Sequence, residues 1–366
     1  MILNERIRKT LSQIKPLDRE AMEKVQQRLD MLTKPQGSLG RLEALAVQLA
    51  GITGGSFPPG VKKKVVLFAA DHGVVREGVS AYPQEVTVQM VDNIVNGGAA
   101  INVLSRQAGA QVRVIDIGVG SEMSLDGITR AKVRPGTGNF SREEAMTRRE
   151  AEEALLVGIS AAEEEVASGT RLLATGEMGI GNTTASSAVM AALTGYDPAL
   201  VVGRGTGLDD AQLENKVRIV ERALALHKPD PADPLAVLSK VGGLEIAGLA
   251  GLILGAASLR CPVIIDGFIS TVASLLAVKM SPLAAEYLIP SHLSQESGHA
   301  LLLNHMELSP YINLEMRLGE GTGAVLAMHL VEAAARILQE MATFDEAGVS
   351  NKESAGKESG CKKEQV

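Results

Sequence analysis

The stretch RLLATGEMGIGNTT (residues 171–184) decides the fold class, because it passes from an apolar run through a glycine-rich loop into a helical pattern. Residues 171–175 predict a buried strand, and residues 183–193 predict a helix. The loop glycines let backbone N–H groups approach an anion, and the start of the helix presents further free N–H groups. The stretch therefore predicts a phosphate-binding unit or, without a ligand, a tight strand-to-helix turn. It is not a Walker A loop, because Asn182 stands where that motif needs lysine.

Strand and helix patterns alternate on both sides of this stretch. Further strands are predicted at Val65–Ala70, Gln111–Gly118, Leu200–Val202 and Pro262–Ile265. Further helices are predicted at Gln84–Ala108, Glu143–Ser168, Asp209–Leu226 and Ala324–Met341. Such alternation is typical of an α/β fold with a doubly wound, mainly parallel sheet of the Rossmann-like type. Ligands of these sheets bind beyond the carboxyl ends of the strands.

The composition argues against several classes of protein. The formal net charge is −7 and the lysines and arginines are dispersed, so no nucleic-acid partner is expected. The longest uncharged apolar run, Ile246–Leu259, is shorter than the roughly 20 residues that span a bilayer. We interpret it as a buried helix whose glycines permit close backbone contact, and we expect no membrane partner. Cys261 and Cys361 make no disulfide framework, and residues 1–10 have no apolar signal core, which fits the cytoplasm.

Two further glycine-rich loops precede helices. Gly203-Arg-Gly-Thr-Gly207 is followed by Asp209 and Asp210, which in many helices only complement the helix dipole. RLGEGTGA (317–324) matches the dinucleotide fingerprint G-x-G-x-x-A, but no strand with a ribose-binding acid follows its helix. Glu320 within this loop would repel a pyrophosphate on the same amides. It suits a general base directed at a ligand N–H, and an ordinary exposed acid is the alternative.

The histidines predict no metal site. Asp71-His72 ends a predicted strand, and we interpret it as a loop anchor rather than as a catalytic pair or metal ligands. His292, His299 and His305 lie close in sequence but have no recognisable ligand spacing. We therefore expect neither a metal nor a cofactor.

A series of strings, in consistent order, resembles the nicotinate-nucleotide–dimethylbenzimidazole phosphoribosyltransferase family. They are TKPQGSLGRLE (33–43), AADHGVVREGVSAYPQEVTVQM (69–90), NGGAAINVL (96–104), GTGNF (136–140), GEMGIGNTTASSA (176–188), VGRGTGLDD (202–210), IIDGFIS (264–270), SHLSQESGH (291–299), RLGEGTGA (317–324) and FDEAGVS (344–350). The resemblance extends to Ser350, and the chain departs from the family in the tail that follows.

The resemblance implies a large parallel α/β domain, assigned to residues 61–324, and a small helical domain from both chain ends, assigned to residues 1–60 and 325–350. Residues 351–366 are polar without an apolar period and are expected to be a disordered tail. A homodimer is also implied. The implied activity transfers the 5-phosphoribosyl group of nicotinate mononucleotide to 5,6-dimethylbenzimidazole. The products, α-ribazole 5′-phosphate and nicotinate, belong to assembly of the lower nucleotide loop of cobalamin.

The resemblance also implies roles for individual residues. Glu320 is the implied catalytic base, and Glu177 is a second carboxylate close to the reacting ribose. Contacts to the phosphate and ribose are implied for Gly176, Gly179, Gly181, Asn182, Thr183, Gly203, Lys216 and Arg317. The benzimidazole pocket is implied at Ser80, Tyr82, Gln89 and Leu318.

The chemistry of the implied reaction agrees with these roles. The ring nitrogen of nicotinate mononucleotide is a pyridinium and leaves C1′ as a neutral pyridine, so it needs neither a general acid nor a metal. The attacking benzimidazole must lose its N–H proton, for which Glu320 suffices. An NAD-dependent oxidoreductase and a non-catalytic nucleotide sensor are the alternatives. An oxidoreductase needs an acidic residue on the strand that follows its dinucleotide fingerprint. A nucleotide sensor would not need Glu320.

Overall fold

The computed structural model describes residues 3–123, 126–205 and 207–350, and within these ranges the strands form a six-stranded parallel sheet. The strands are β1 (Lys63–Ala70), β2 (Ala110–Gly118), β3 (Ile128–Arg130), β4 (Leu172–Met178), β5 (Val263–Ile265) and β6 (Leu288–Pro290). Their order is β3-β2-β1-β4-β5-β6, and each neighbouring pair is parallel. The predicted doubly wound α/β fold class is confirmed. The tail predicted at 351–366 lies outside the described residues.

The helices alternate with the strands along most of the chain. In chain order they are α1 (Glu5–Gln13), α2 (Arg19–Met31), α3 (Arg41–Thr53), α4 (Val86–Val95), α5 (Ala100–Ala108), α6 (Arg148–Ala167), α7 (Asn182–Thr194), α8 (Pro198–Val201), α9 (Asp210–His227), α10 (Pro234–Val241), α11 (Leu244–Ser258), α12 (Phe268–Met280), α13 (Ser297–His305), α14 (Thr322–Glu340) and α15 (Phe344–Ala347). Short 3-10 turns occupy Gly73–Glu77 and Pro282–Tyr287.

Three of the predicted elements are wrong in part. The helix predicted at Glu143–Ser168 begins only at Arg148, where the Thr147 side chain caps it. Instead of the strand predicted at Leu200–Val202, Leu200 and Val201 end the single-turn helix α8 and Val202 is its C-cap, because Pro198 fixes the first turn and the Asp197 side chain accepts a hydrogen bond from the Ala199 amide. The helix predicted at 84–108 is divided into α4 and α5 by Asn96-Gly97-Gly98, where Gly97 has a φ of 82°. The three-residue strands β3 and β6 were not predicted.

The chain forms two compact units. Of the described residues, the larger unit comprises those up to Pro16 and those from Val61 to Met328, and the smaller comprises Leu17–Gly60 and those from His329 onwards. In the smaller unit the Asp18 carboxylate caps α2 by accepting a hydrogen bond from the Ala21 amide. The units differ from the predicted domains in the placement of residues 1–16 and 325–328, and the domain assignment itself stays a prediction.

The predicted buried apolar helix is α11, which packs against α6 and against β1, β2 and β4. The two helices approach backbone to backbone at glycines. A Cβ added to Gly158 of α6 would lie 1.9 Å from the carbonyl oxygen of Gly248, and one added to Gly251 would lie 2.0 Å from that of Leu155. Close packing of this kind supplies dispersion contacts in a protein that has no tryptophan and few other aromatic residues.

The direction of winding reverses between β1 and β4, which are neighbours in the sheet but far apart in sequence. At such a switch point, a crevice opens beyond the carboxyl ends of the strands. The chain follows these strand ends with polar and glycine-rich loops at Asp71-His72-Gly73, Gly179-Ile180-Gly181 and Asp266-Gly267. The fold therefore places the sequence motifs at one edge of the sheet.

Candidate active site

A cavity of about 340 Å³ lies at this edge, within the larger unit. Its wall consists of the segments after β4, β5 and β6, the loop before α4, and the loop before α14. Ten of the residues implied by the resemblance line it: Ser80, Tyr82, Glu177, Gly179, Gly181, Asn182, Thr183, Arg317, Leu318 and Glu320. The sequence-based site therefore assembles around one cavity.

The glycine-rich loop after β4 presents the start of α7 to the cavity. Gly181 is the N-cap of α7 and has a φ of 94°, a conformation that favours glycine. No side chain among the described residues caps this helix, although the amides of Asn182 and Thr184 are bonded to the carbonyl oxygens of Gly179 and Gly181. A Cβ at Gly179 would lie 2.3 Å from the carbonyl oxygen of Ala70, so only glycine lets the loop pack onto β1. The arrangement suits an anion at the positive end of a helix dipole.

Glu177 joins the two glycine-rich loops that face each other across the site. Its Oε2 accepts a hydrogen bond from the side-chain amide of Asn182, and its Oε1 accepts one from the backbone N–H of Glu320 at 3.4 Å. Burial is the main factor that raises the pKa of Glu177 to about 8, and the negative charges of Asp266 and Glu245 raise it further.

Glu320 combines a strained backbone with an unpaired carboxylate oxygen. Its φ of 63° lies in the left-handed region, which is costly for a residue with a side chain. The residue is 4% exposed and lines the cavity, and its Oε2 has no hydrogen-bond partner among the described residues. Burial raises its pKa, although the backbone amide of Ile101 acts in the opposite direction. A buried acceptor without a partner is ready for a ligand N–H.

Asp266 holds the Glu320 loop in place, and the sequence patterns did not identify this role. Its two carboxylate oxygens accept hydrogen bonds from the amides of Gly321 and Ala324 at 3.1 and 3.0 Å. Both amides lie at the start of α14. Asp266, which directly follows β5, therefore caps a helix that is distant from it in sequence. Burial raises the pKa of Asp266, while the neighbouring His292 and the amides lower it. The one available signal was a polar residue directly after a buried strand.

Lys216 is fully buried behind the wall of the cavity. Its Nζ donates hydrogen bonds to Thr183 Oγ1 and to the carbonyl oxygen of Gly203, both at 2.9 Å. Burial lowers the pKa of Lys216 to about 8, and the carboxylate of Glu296 opposes that shift. The lysine therefore contacts Thr183, which lines the cavity, rather than lining it itself. Gly203 likewise does not line the cavity.

The remaining implied residues occupy the rim or lie away from the cavity. Tyr82 and Leu318 are more than half exposed and provide apolar surface at the rim. Arg317, also at the rim, donates a hydrogen bond to the carbonyl oxygen of Gly205. Gln89 is exposed on α4 and does not line the cavity. Gly176 lies within β4, where a Cβ would come 2.8 Å from the Glu320 carbonyl oxygen.

The Asp71-His72 pair supports the loops, as predicted for a loop anchor. The Asp71 carboxylate accepts a hydrogen bond from the Gly120 amide at 2.7 Å, and the backbone carbonyl oxygen of Asp71 accepts one from the Thr137 amide. His72 Nε2 lies 2.9 Å from a carboxylate oxygen of Glu245, and both side chains are fully buried. This pair lies beneath the loop after β4, since a Cβ at Gly179 would be 3.4 Å from His72 Nε2.

Within residues 3–123, 126–205 and 207–350, no group of three or more His, Cys, Asp or Glu side chains is arranged to hold a metal ion. None of the helices in those ranges is long and apolar enough to cross a membrane.

Comparisons with known proteins agree on one family. A family model described as "Phosphoribosyltransferase" matches residues 14–349. Nicotinate-nucleotide–dimethylbenzimidazole phosphoribosyltransferase of Chloroflexus aggregans is 57% identical over 347 residues, covering 94% of this chain and 98% of that protein. The enzyme of the same name from Geobacter sulfurreducens is 56% identical over 342 residues, covering 93% and 97%. The crystal structure of the enzyme of that name from Thermus thermophilus is similar with a TM-score of 0.86 at 49% identity, covering 92% of this chain and 100% of that one.

Proposed function

The chain belongs to the nicotinate-nucleotide–dimethylbenzimidazole phosphoribosyltransferase family, and we propose that it transfers the 5-phosphoribosyl group of nicotinate mononucleotide to 5,6-dimethylbenzimidazole. The products are α-ribazole 5′-phosphate and nicotinate, and the reaction serves assembly of the lower nucleotide loop of cobalamin. The relatives and the solved structure named above support this assignment over nearly their whole length.

One observation carries the proposal: the buried Oε2 of Glu320, which has no hydrogen-bond partner among the described residues, lines the same cavity as the N-terminus of α7. The reaction needs a proton acceptor for the benzimidazole N–H and an anion site for the ribose phosphate. A hydrogen bond from the benzimidazole N–H to Glu320 would also direct the lone pair of the other ring nitrogen towards C1′. Glu320 then receives the proton as the new N–C bond forms.

The α7 terminus is the proposed phosphate site. Backbone N–H groups of the loop around Gly179 and Gly181, with Asn182 and Thr183, would bind the phosphate oxygens. Lys216 acts through Thr183, whose hydroxyl it orients, and adds positive charge behind the loop. Arg317 at the rim supplies a second cation, since charge-assisted hydrogen bonds are favourable for a dianion.

Glu177 is the proposed electrostatic partner of the reacting ribose. As the neutral pyridine ring leaves, C1′ gains oxocarbenium character, and a carboxylate nearby stabilises that positive charge. A cationic substrate favours the ionised form of Glu177 and so opposes the effect of burial on its pKa. Glu320 receives the proton that is lost in this scheme, and Glu177 does not form a covalent bond.

The rim residues Ser80, Tyr82 and Leu318 are the proposed benzimidazole contacts, and Gln89 is proposed only on the resemblance. We further propose that the chain acts as a homodimer, as the same resemblance implies, and in the cytoplasm, which its two cysteines and the composition of residues 1–10 fit. No cofactor or metal ion takes part in the proposed reaction, because the pyridinium is already an activated leaving group.

Release of nicotinate from nicotinate mononucleotide, measured with and without 5,6-dimethylbenzimidazole, tests the proposal. We expect release that depends on the benzimidazole and that matches the formation of α-ribazole 5′-phosphate one to one. Release without the acceptor would indicate a hydrolase, and binding without any release would indicate a nucleotide sensor. Either result would contradict the transferase assignment.

A further inference from the structure

The turn that follows β1 packs beneath the proposed phosphate-binding loop. It is the 3-10 turn Gly73–Glu77, and a Cβ added to Gly181 would meet Cγ2 of its Val75 side chain at 2.7 Å. Gly181 is the N-cap of α7, and the helix start that follows it lines the cavity. Because close-packed groups transmit a displacement, a shift of the turn would shift the backbone that faces the ligand.

Glu77, the last residue of this turn, forms the hydrogen bonds that hold the turn in place. Its Oε1 accepts hydrogen bonds from Asn139 Nδ2 at 2.7 Å and from Arg142 Nε at 2.8 Å. Its Oε2 accepts one from Arg222 Nη2 at 2.8 Å, and the same guanidinium group donates to Ser141 Oγ. The carboxylate therefore joins the turn to two other segments, the loop between β3 and α6 and the helix α9.

The surroundings of this carboxylate keep it ionised. The Glu77 side chain is 10% exposed, and burial alone would raise its pKa. Hydrogen bonds from Asn139, Arg222 and Arg142 outweigh burial and lower the pKa of Glu77 to about 2. An ionised carboxylate with three donors is a strong, directional tether, because hydrogen bonds to a charged group are shorter and stronger than those between neutral groups.

The backbone of Glu77 is bonded to α9 as well. Asn215 Nδ2 donates a hydrogen bond to the backbone carbonyl oxygen of Glu77 at 2.8 Å. The next residue on α9, Lys216, donates to Thr183 Oγ1 in the first turn of α7. Glu77 thus holds both supports of that helix start, the turn that lies beneath it and the lysine that lies behind it.

Glu77 does not itself face the ligand. Neither Glu77 nor the string GTGNF (136–140) lines the cavity. A carboxylate close to a phosphate dianion would also weaken its binding, because like charges repel. The contribution of Glu77 is therefore to position other groups, and the same holds for Asn139 within that string.

We propose that Glu77 is a positioning residue for the phosphate site. It fixes the 3-10 turn and α9 to each other, and so sets the backbone at the start of α7 to which the phosphate binds. This inference rests on the proposed function, because it concerns the nucleotide of that reaction. It gives the strings DHGVVREG (71–78) and GTGNF (136–140) a common role as the support of the phosphate site.

The test measures binding of ribose 5-phosphate by calorimetry to the wild-type protein, to Glu77→Gln and to Asn215→Ala. We expect Glu77→Gln to weaken binding about 10-fold, which corresponds to the loss of one hydrogen bond to the charged phosphate. Asn215→Ala should weaken binding by a smaller factor, since it removes one hydrogen bond between neutral groups. A direct effect of charge has the opposite sign, because removal of a carboxylate strengthens binding of a dianion.

The matched control is Glu150→Gln, which changes another tethered carboxylate of the larger unit. Glu150 accepts a hydrogen bond from Arg134 at 3.1 Å, lies in the first turn of α6 and does not line the cavity. Thermal unfolding of every variant is measured beside binding. We expect the control to lose stability while its binding of ribose 5-phosphate stays unchanged, as for any residue whose role is only structural.

Weaker binding of ribose 5-phosphate by Glu77→Gln and Asn215→Ala, with unchanged binding by Glu150→Gln, supports the inference. Unchanged or tighter binding by Glu77→Gln would overturn it. If Glu77→Gln does not fold, Asn215→Ala decides, and unchanged binding by that variant would overturn the inference. If binding of ribose 5-phosphate depends on Glu77 but the wild-type protein releases no nicotinate from the nucleotide, the inference stands and the proposed function falls.

Discussion

Where α11 packs against α6, glycines bring two backbones into contact and the surrounding side chains are apolar and fully buried. At the cavity edge of the same unit, three carboxylates are buried near one another, and one of them lies on a residue with positive φ. The first region optimises packing, whereas the second keeps charges, strain and unpaired polar atoms that lower stability. Local destabilisation of this kind marks the place where binding and catalysis are to be expected.

The largest expected effect is that of Glu320→Gln on turnover. Loss of a general base lowers kcat by about 10²–10⁴-fold, while both substrates still bind because the glutamine keeps the shape of the side chain. Steady-state kinetics and calorimetry on the same preparation measure the two quantities. The matched control is Glu315→Gln, since Glu315 also has a positive φ (55°) but is exposed and away from the cavity. A variant at position 320 with near-normal turnover would remove Glu320 from the role of base.

A smaller effect is expected on the pH dependence of stability. The pKa of Glu177 is raised to about 8 in the folded protein, so the folded state binds this proton more tightly than the unfolded state. The contribution of Glu177 to stability should therefore be largest below its unfolded pKa near 4.5 and should fall as the pH rises towards 8, by on the order of 4 kcal/mol for a shift of this size. Glu177→Gln should reduce this decline. The check is urea unfolding of both proteins at pH 5 and pH 8. If the free energy of unfolding changed equally between the two pH values in both proteins, Glu177 would not titrate in this range.

The apolar region should respond to volume rather than to pH. Gly158→Ala places a Cβ against the Gly248 carbonyl of α11, and overpacking against a backbone costs about 3 kcal/mol. The free energy of unfolding should fall at all pH values, with KM unchanged in whatever fraction stays folded. Gly55→Ala is the control, because a Cβ there meets no atom within 4 Å. Equal stability of the two variants would mean that the contact between α6 and α11 is looser than described.

The smallest expected effects concern the phosphate site. Arg317→Ala and Lys216→Ala should raise the KM for nicotinate mononucleotide more than the KM for 5,6-dimethylbenzimidazole. The loss of a charge-assisted hydrogen bond should weaken binding of the nucleotide by about 2 kcal/mol. Because Lys216 is buried, Lys216→Ala should also lower stability, whereas Arg317→Ala should not. Thermal unfolding together with the two KM values separates these outcomes. If both variants changed only the KM for 5,6-dimethylbenzimidazole, the phosphate would bind elsewhere.

The apolar region was predictable from local sequence because its signal is local. An uncharged run with spaced glycines specifies a buried, closely packed helix, and α11 is that helix. The strand prediction at Leu200–Val202 was wrong because the local signal there is ambiguous. Three apolar residues fit a strand or a helix equally, and the capping by Asp197 decided in favour of the helix. In the cavity, the motifs after the strands were visible, but the partnership of Asp266 with α14 joins residues far apart in sequence. The burial of Lys216 likewise follows from packing around the loop at Gly203 and could not be inferred from its position on a helix.

Product stereochemistry tests most directly the claim that one displacement takes place in this cavity with Glu320 as base. While nicotinate occupies one face of C1′, only the opposite face is open to the benzimidazole, so a single displacement from the β-nucleotide inverts the centre. The NMR signal of the ribose anomeric proton after turnover in EDTA should show the α-anomer alone. A β-product would require two displacements through a covalent ribosyl-enzyme, with a carboxylate such as Glu177 as nucleophile, and would contradict the roles assigned to Glu320 and Glu177.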